Sequence, residues 1–391
     1  MISHEKRMLV ISINEILNLY SNDGKVGRGS QYLFTLGIIP GPEYPLAKDT
    51  MRYLFIDLKG PVLLSKEHDL LRHPAVAGVV MFSRNCKNEE QFKVLCDEVK
   101  VINPFLKIAI DQEGGRVQRI KSPLTVIPAM RQFGHLYDQD AAKAISLVQD
   151  CAWLVGSELK ALGVDINFAP VVDIDQGVSS IIGSRAFHSD TNAIVQLSQA
   201  YIEGLHEAGV LAVAKHYPGH GSVKLDSHID QPVDLRNEQE VSQSDLRIYG
   251  ALTRECQSPF AIMASHVIYP NIDDQPASFS DVWLKQVLRD RIDFKGLVFT
   301  DCLTMKAAHI AGTPEQRIVQ AMASGCDLML LCNHQGDLSQ VLEQLPEVAQ
   351  DAPLDRIEFG SGIFFETLVS SPRYQKIKQA IQSLGEENVS T

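Results

Sequence analysis

A chain of 391 residues with 45% hydrophobic and 21% charged side chains has an ordinary globular composition and ample apolar material for a large core. Its 36 Lys+Arg against 48 Asp+Glu leave a formal charge of −12, which argues against the basic face that nucleic-acid binding draws on. No window reaches the ~18–20 apolar residues of a membrane span, and the length suits either two domains or one α/β barrel of about 250 or more residues.

In chain order, the apolar run Met8–Ile13 is too short for a secretory core, and Asn14 and Glu15 interrupt it. Residues 1–50 are punctuated by Gly24, Gly27, Gly29, Gly37, Gly41, Pro40, Pro42 and Pro45 and show no clear periodic element after Leu19, so they read as an N-terminal extension. From Met51 onward, short apolar runs alternate with helical periodicity, the signature of a parallel α/β fold. Strands are expected at 53–58, 77–82, 106–110, 165–171, 211–215, 260–265, 296–300 and 327–331. Continuous Val/Ile/Leu/Ala runs of this kind suit strands buried on both faces. Helices are expected between them, at 88–101, 141–162, 191–208, 237–256, 281–291 and 313–324. Eight strands with intervening helices predict a single (β/α)8 TIM-type barrel over 51–345, with 346–391 a C-terminal helical tail packed on it. An open doubly wound sheet is the rival, but no strand is followed by the G-x-G-x-x-G turn it should carry.

Barrel chemistry belongs at the C-terminal ends of strands, and polar residues stand there: Asp111, Lys215-His216, His266, Asp301 and Asn333. Each alone could be a helix cap or turn former; five converging are harder to explain so. The densest stretch, 214–228, holds His216, His220, His228, Asp226, Lys215 and Lys224. A zinc site is conceivable, but sharing a helical face by His216 and His220 is blocked by Pro218, Gly219 and Gly221. An acid–base reading fits better. Asp226 can orient His228 from two residues away and favour its protonated form, and an imidazole with an ordinary pKa of ~6.5 exchanges protons near neutrality. Gly219 and Gly221 would let such a loop swing over a substrate. Asp301 closes the apolar run 298–300, where a carboxylate could attack an electrophilic carbon while a separate group donates a proton; the bland alternative is a helix N-cap.

The segments 110–119, Phe168-Ala169-Pro170 with Asp173, 183–187, 215–221 with Asp226-Ser227-His228, and 300–305 together resemble glycoside hydrolase family 3. The nearest branch is the bacterial β-N-acetylglucosaminidases that recycle peptidoglycan fragments. This resemblance implies a retaining exo-hydrolase with Asp301 as nucleophile, and His228, paired with Asp226, as general acid/base. It implies that Asp111, Arg119, Arg185, Lys215 and His216 bind a terminal N-acetylglucosamine. The implied substrate is a small carbohydrate, the muropeptide-derived GlcNAc β-1,4-linked to 1,6-anhydro-N-acetylmuramic acid, with or without peptide. No cofactor, no metal, no nucleic acid and no membrane are implied. A histidine acid avoids the like-charge conflict of two neighbouring carboxylates, one of which must stay protonated.

Two features depart from the family pattern: residues 1–50 have no counterpart in its compact members, and Cys302 follows Asp301 where an acidic or small residue is common. Seven cysteines without C-x-x-C spacing suit a reduced compartment, and the protein is expected in the cytoplasm. The sequence is compatible with a monomer but does not fix the oligomeric state. Alternatives are a β-glucosidase or β-xylosidase of the same superfamily, a phosphorylase using the same pair, a route through the substrate's own acetamido group, and a silent sugar-binding protein. The first would need a second sandwich domain, for which the chain leaves no room.

Overall fold

The apolar runs become strands that are almost wholly buried: β1 Leu54–Asp57, β2 Val76–Met81, β3 Lys107–Ile110, β4 Ile166–Asn167, β5 Leu211–Tyr217, β6 Phe260–Ala264, β7 Val298–Cys302 and β8 Leu328–Leu330. Their Val, Ile, Leu and Ala side chains need no polar alternation, because helices cover one face and the opposite strands cover the other. Each strand pairs in parallel with the next, and β8 closes on β1 with Phe55 opposite Leu330. The expected (β/α)8 barrel is therefore present. The computed structural model describes residues 52–179, 181–224, 231–346, 354, 357, 359–360 and 364–387; the extension read at 1–50, Asp226 and His228 lie outside the described residues.

Inside the barrel, Phe299 packs edge-to-face on both Phe55 and Phe168 at 5.6 Å, and this aromatic trio fills the lumen beneath the strand ends. The fill makes the barrel a packed core rather than a pore. Polar groups that emerge above it are thereby held on a rigid floor.

Where structure and sequence reading differ, hydrogen bonding explains the difference. The expected strand 165–171 is regular only over Ile166–Asn167, because Pro170 has no N–H to give the ladder. Pairing to β5 still continues through the carbonyls of Ala169 and Pro170, which accept from Val213 (2.9 Å) and Lys215 (3.1 Å). β5 in turn runs two residues past the expected 211–215, carrying His216 and Tyr217 within it. The helix expected at 237–256 breaks at Ser244 into Glu238–Gln243 and Asp245–Glu255, with the Ser244 hydroxyl donating to the Glu240 carbonyl at 2.6 Å. In the C-terminal segment, helix Pro372–Glu387 docks through Tyr374, whose hydroxyl donates to Glu158 at 2.6 Å. No helix among the described residues is long and apolar enough to cross a membrane.

Candidate active site

The segment Asp111-Gln112-Glu113-Gly114-Gly115-Arg116-Val117-Gln118-Arg119 leaves β3 and doubles back as a tight hairpin, Gln112–Gly114 against Val117–Gln118. Gly114 and Gly115 make the reversal at φ of 109° and 55°, a region that side chains with a Cβ rarely adopt. Because Gln112 pairs with Gln118, the flanking Asp111 and Arg119 must meet, and Arg119 donates to Asp111 at 2.9 Å. The period of two along a strand places Glu113 on the same face as Asp111. Both then reach Lys215 at the end of β5, whose ammonium lies 2.8 Å from Asp111 and 2.7 Å from Glu113. Arg185, on the short turn Gly183–Arg185, clamps Glu113 bidentately with two bonds of 2.8 Å.

Only 3% of Lys215 and 2% of Glu113 is exposed, so these charges persist because they are paired. Burial opposes the ionisation of Asp111, yet Lys215 and Arg119 hold its carboxyl well below the usual range. Glu113 follows the same logic against Lys215 and Arg185. Burial works against the Lys215 charge, but Asp111 and Glu113 keep the ammonium above its ordinary value. Arg119 Nε is buried and finds no acceptor among the described residues, so an incoming hydroxyl would satisfy it.

One residue on, His216 Nδ1 lies 2.6 Å from Asp173, a carboxylate that also accepts the His220 backbone N–H at 2.7 Å. Burial resists the Asp173 charge, but His216 pulls its pKa below the ordinary value, so Asp173 accepts and Nδ1 carries the hydrogen. Pro218, Gly219 and Gly221 leave no helix here, yet the His216 and His220 rings meet edge-to-face at 5.7 Å. Contact is made by the turn after β5 and its shared anchor on Asp173, without any helix. Burial and His216 push the His220 imidazole toward its neutral form, against Asp173 and Asp301. The glycines of this turn also have a different reason from freedom to swing. Both are buried, and a Cβ would fall 2.1 Å from an Asp245 oxygen at Gly219 and 1.8 Å from the Ile174 carbonyl at Gly221.

Asp301 sits within β7 rather than capping a helix; the next helical turn, Lys306–Ala311, takes Met305 as its N-cap. Its carboxylate accepts the Cys302 N–H at 2.7 Å. His266, after β6, is fully buried and braces the same spot, its Nε2 3.1 Å from the Cys302 carbonyl and its Nδ1 2.7 Å from the Ser278 hydroxyl. Asn333, after β8, is exposed at the rim, its backbone N–H bonded to Asp57 at 3.0 Å.

These groups open into one cavity of about 720 Å³ at the C-terminal mouth of the barrel, lined by Asp111, Glu113, Arg119, Arg185, Lys215, His216, His220, Asp301 and Asn333 among others. That volume falls in the range of small-ligand sites. Among the expected site residues, Asp301, Asp111, Arg119, Arg185, Lys215 and His216 are thus brought together. Asp226 and His228 lie in 225–230, beyond the described residues. Ser222 bonds Asp234, and the Gln231 side chain donates to the His266 carbonyl at 2.9 Å. Glu113, Asp173 and His220 are the site residues that sequence reasoning did not assign. No group of three or more His, Cys, Asp or Glu among the described residues is arranged to hold a metal ion.

Residues 56–358 match the glycosyl hydrolase family 3 N-terminal domain. The β-hexosaminidase of Alkalilimnicola ehrlichii is 45% identical over 295 residues, covering 75% of this chain and 84% of that protein. That of Pseudomonas aeruginosa is 38% identical over 332 residues, covering 84% and 97%. The NagZ of Neisseria gonorrhoeae, solved in complex with N-trifluoroacetyl-D-glucosamine, superposes with a TM-score of 0.80 at 33% identity, covering 86% of this chain and 99% of that one.

Proposed function

The chain belongs to glycosyl hydrolase family 3, and from that premise we propose that it is a retaining exo-β-N-acetylglucosaminidase. Its substrate is terminal GlcNAc on peptidoglycan-derived GlcNAc-1,6-anhydro-MurNAc, with or without peptide. The similarity to β-hexosaminidases and to a NagZ solved with an N-acylglucosamine supports the sugar. The single observation that carries the reading is the opening of Asp301 and the ion-paired group Asp111, Arg119, Lys215 and His216 into one cavity.

In this mechanism Asp301 attacks the anomeric carbon while His228, oriented by Asp226, protonates the departing oxygen. Water then attacks the glycosyl-enzyme, and the same imidazole takes its proton. Asp111 and Glu113 are acceptor-only carboxylates, while Lys215, Arg119 and Arg185 supply donors, so the cluster can meet both halves of a sugar hydroxyl. Its internal pairing fixes these groups before substrate arrives, which reduces the ordering cost of binding. We place the enzyme in the cytoplasm, a setting that suits its seven free thiols.

The test is a 5-fluoro glycosyl donor of the N-acetylglucosamine series, followed by peptide mass mapping. A sugar adduct on the Asp301 peptide supports the covalent route, and turnover without any adduct sinks it. Aryl glycosides of GlcNAc, GalNAc, glucose and xylose, assayed with and without phosphate, fix the sugar and separate hydrolysis from phosphorolysis.

A further inference from the structure

The residue after Asp301 is a thiol, and it does not stand alone. Cys302 ends β7 and pairs with Leu330 of β8, and Cys332 lies two residues past the end of that strand. Cys302 Sγ lies 3.6 Å from the Cys332 carbonyl oxygen. Cys302 Sγ also lies 3.1 Å from the Thr304 hydroxyl and accepts the Cys332 backbone N–H at 3.4 Å. Both residues line the cavity, and Cys302 is only partly buried. None of these contacts has a role in the glycosidase chemistry.

We propose that Cys302 and Cys332 form an oxidation site, in which a hydroperoxide converts the thiol pair to a disulfide and so disturbs Asp301. Hydrogen bonding from Cys332 and Thr304 outweighs burial and draws the Cys302 thiol down to about 7. Cys332 is pushed up by Cys302 and by burial, so it stays a thiol. The pair is therefore unequal, with one attacking sulfur and one resolving sulfur. Cys302 thiolate attacks a peroxide oxygen; the S–O bond forms, the O–O bond breaks, and the alkoxide leaves and takes a proton. Cys332 sulfur then attacks Cys302 sulfur and gives up its proton; the S–O bond breaks and hydroxide leaves as water. Two thiols and one hydroperoxide thus yield a disulfide, an alcohol and water. Drawing Cys302 sulfur from Thr304 onto Cys332 would shift the residue whose N–H holds Asp301 and whose carbonyl meets His266.

The remaining half-buried thiols are the internal control. Burial raises both Cys86 and Cys256, and neither lines the cavity. The experiment treats the reduced full chain with a modest excess of hydrogen peroxide. Expected is a cross-linked Cys302–Cys332 peptide, a mass lower by two hydrogens, and a loss of aryl N-acetylglucosaminide hydrolysis of about tenfold that dithiothreitol reverses. Cys332→Ala should instead accumulate a dimedone-reactive sulfenic acid on Cys302. Cys302→Ser should retain a much larger fraction of its own untreated activity. Oxidation falling first on Cys86 or Cys256, or equal inactivation of Cys302→Ser, would overturn the proposal. The activity readout rests on Asp301 as nucleophile, but the peptide map does not, so failure of one reading is distinguishable from failure of the other.

Discussion

The two ends of the barrel both bury carboxylates, and they bind them to different things. At the N-terminal end, Asp165 accepts the Ile108 backbone N–H at 3.0 Å and pairs with Lys100 and Lys160. Asp327 does the same work for β7, accepting the Val298 N–H at 2.8 Å and pairing with Arg289 at 2.9 Å. Each ties a side chain to the main chain of the neighbouring strand. At the C-terminal end, Asp111 and Glu113 bind side-chain cations, Arg119, Lys215 and Arg185. Asp165 and Asp327, fixed to backbone as well as to cations, hold neighbouring strands in register, whereas Asp111 and Glu113 pair with side-chain cations in a surface that a ligand can join. The contrast predicts that damage at the N-terminal end should appear in stability alone, whereas damage at the mouth should always reach turnover.

The largest expected effect is at Asp301. Asp301→Asn should lower turnover of an aryl N-acetyl-β-glucosaminide by about 10³-fold or more while leaving the melting temperature near that of the wild type. A variant that melts early would show that this carboxylate belongs with the bracing group instead. Lys215→Met tests the ion cluster. It leaves Asp111 and Glu113 buried with one cation fewer between them, so about 3–5 kcal/mol of stability should be lost together with most activity. Denaturant unfolding and kcat/KM on the same preparation measure both, and a fully stable but inactive protein would assign Lys215 to substrate alone. His228→Ala sharpens the comparison from outside the described residues. Activity on natural leaving groups should fall far more than on an activated aryl group, which needs little protonation. Equal losses would remove the proton-donor assignment.

The extent to which the sequence discloses this division depends on the range of each contact. Asp111 was legible as the polar end of an apolar run and Arg119 only through the resemblance; the structure joins them in a nine-residue hairpin with a Gly-Gly centre. Glu113 could have been read with them, since period two puts it beside Asp111 on the same strand face. Asp301 was legible as the polar end of an apolar run, and the structure removes its helix-cap reading. Asp173 stood out only as part of the resembling motif and was given no role, because its partner His216 is 43 residues distant. Gly219 and Gly221 were misjudged for a related reason: sequence does not distinguish a glycine that permits motion from one that admits a neighbouring atom. The barrel itself was recoverable from eight apolar runs, whereas β4 was shortened by a proline whose missing N–H matters only once its partner strand is known.

The smallest expected effect is at the other end of the barrel, and it tests the division most directly. Burial disfavours the Asp165 charge, but Lys100 and Lys160 bring its pKa below the ordinary carboxylate value of 3.8. A folded-state pKa below the unfolded one stabilises the fold above about pH 3.8, and that contribution fades as pH falls through the lower folded value. Asp165→Asn keeps the shape and one acceptor for Ile108 but removes the charge from two lysines. At pH 7 the variant should lose about 2 kcal/mol in urea unfolding, below the full cost of a deeply buried pair because Lys100 is 28% exposed. The gap between variant and wild type should narrow below pH 3.8, where the wild-type carboxyl also takes up its proton. Throughout, kcat/KM at 25 °C should stay within about twofold of the wild type, since neither Asp165 nor Lys100 nor Lys160 lines the cavity. A variant as stable as the parent but slow in turnover would mean that the strand starts transmit to the mouth, and the separation of the two ends would fail.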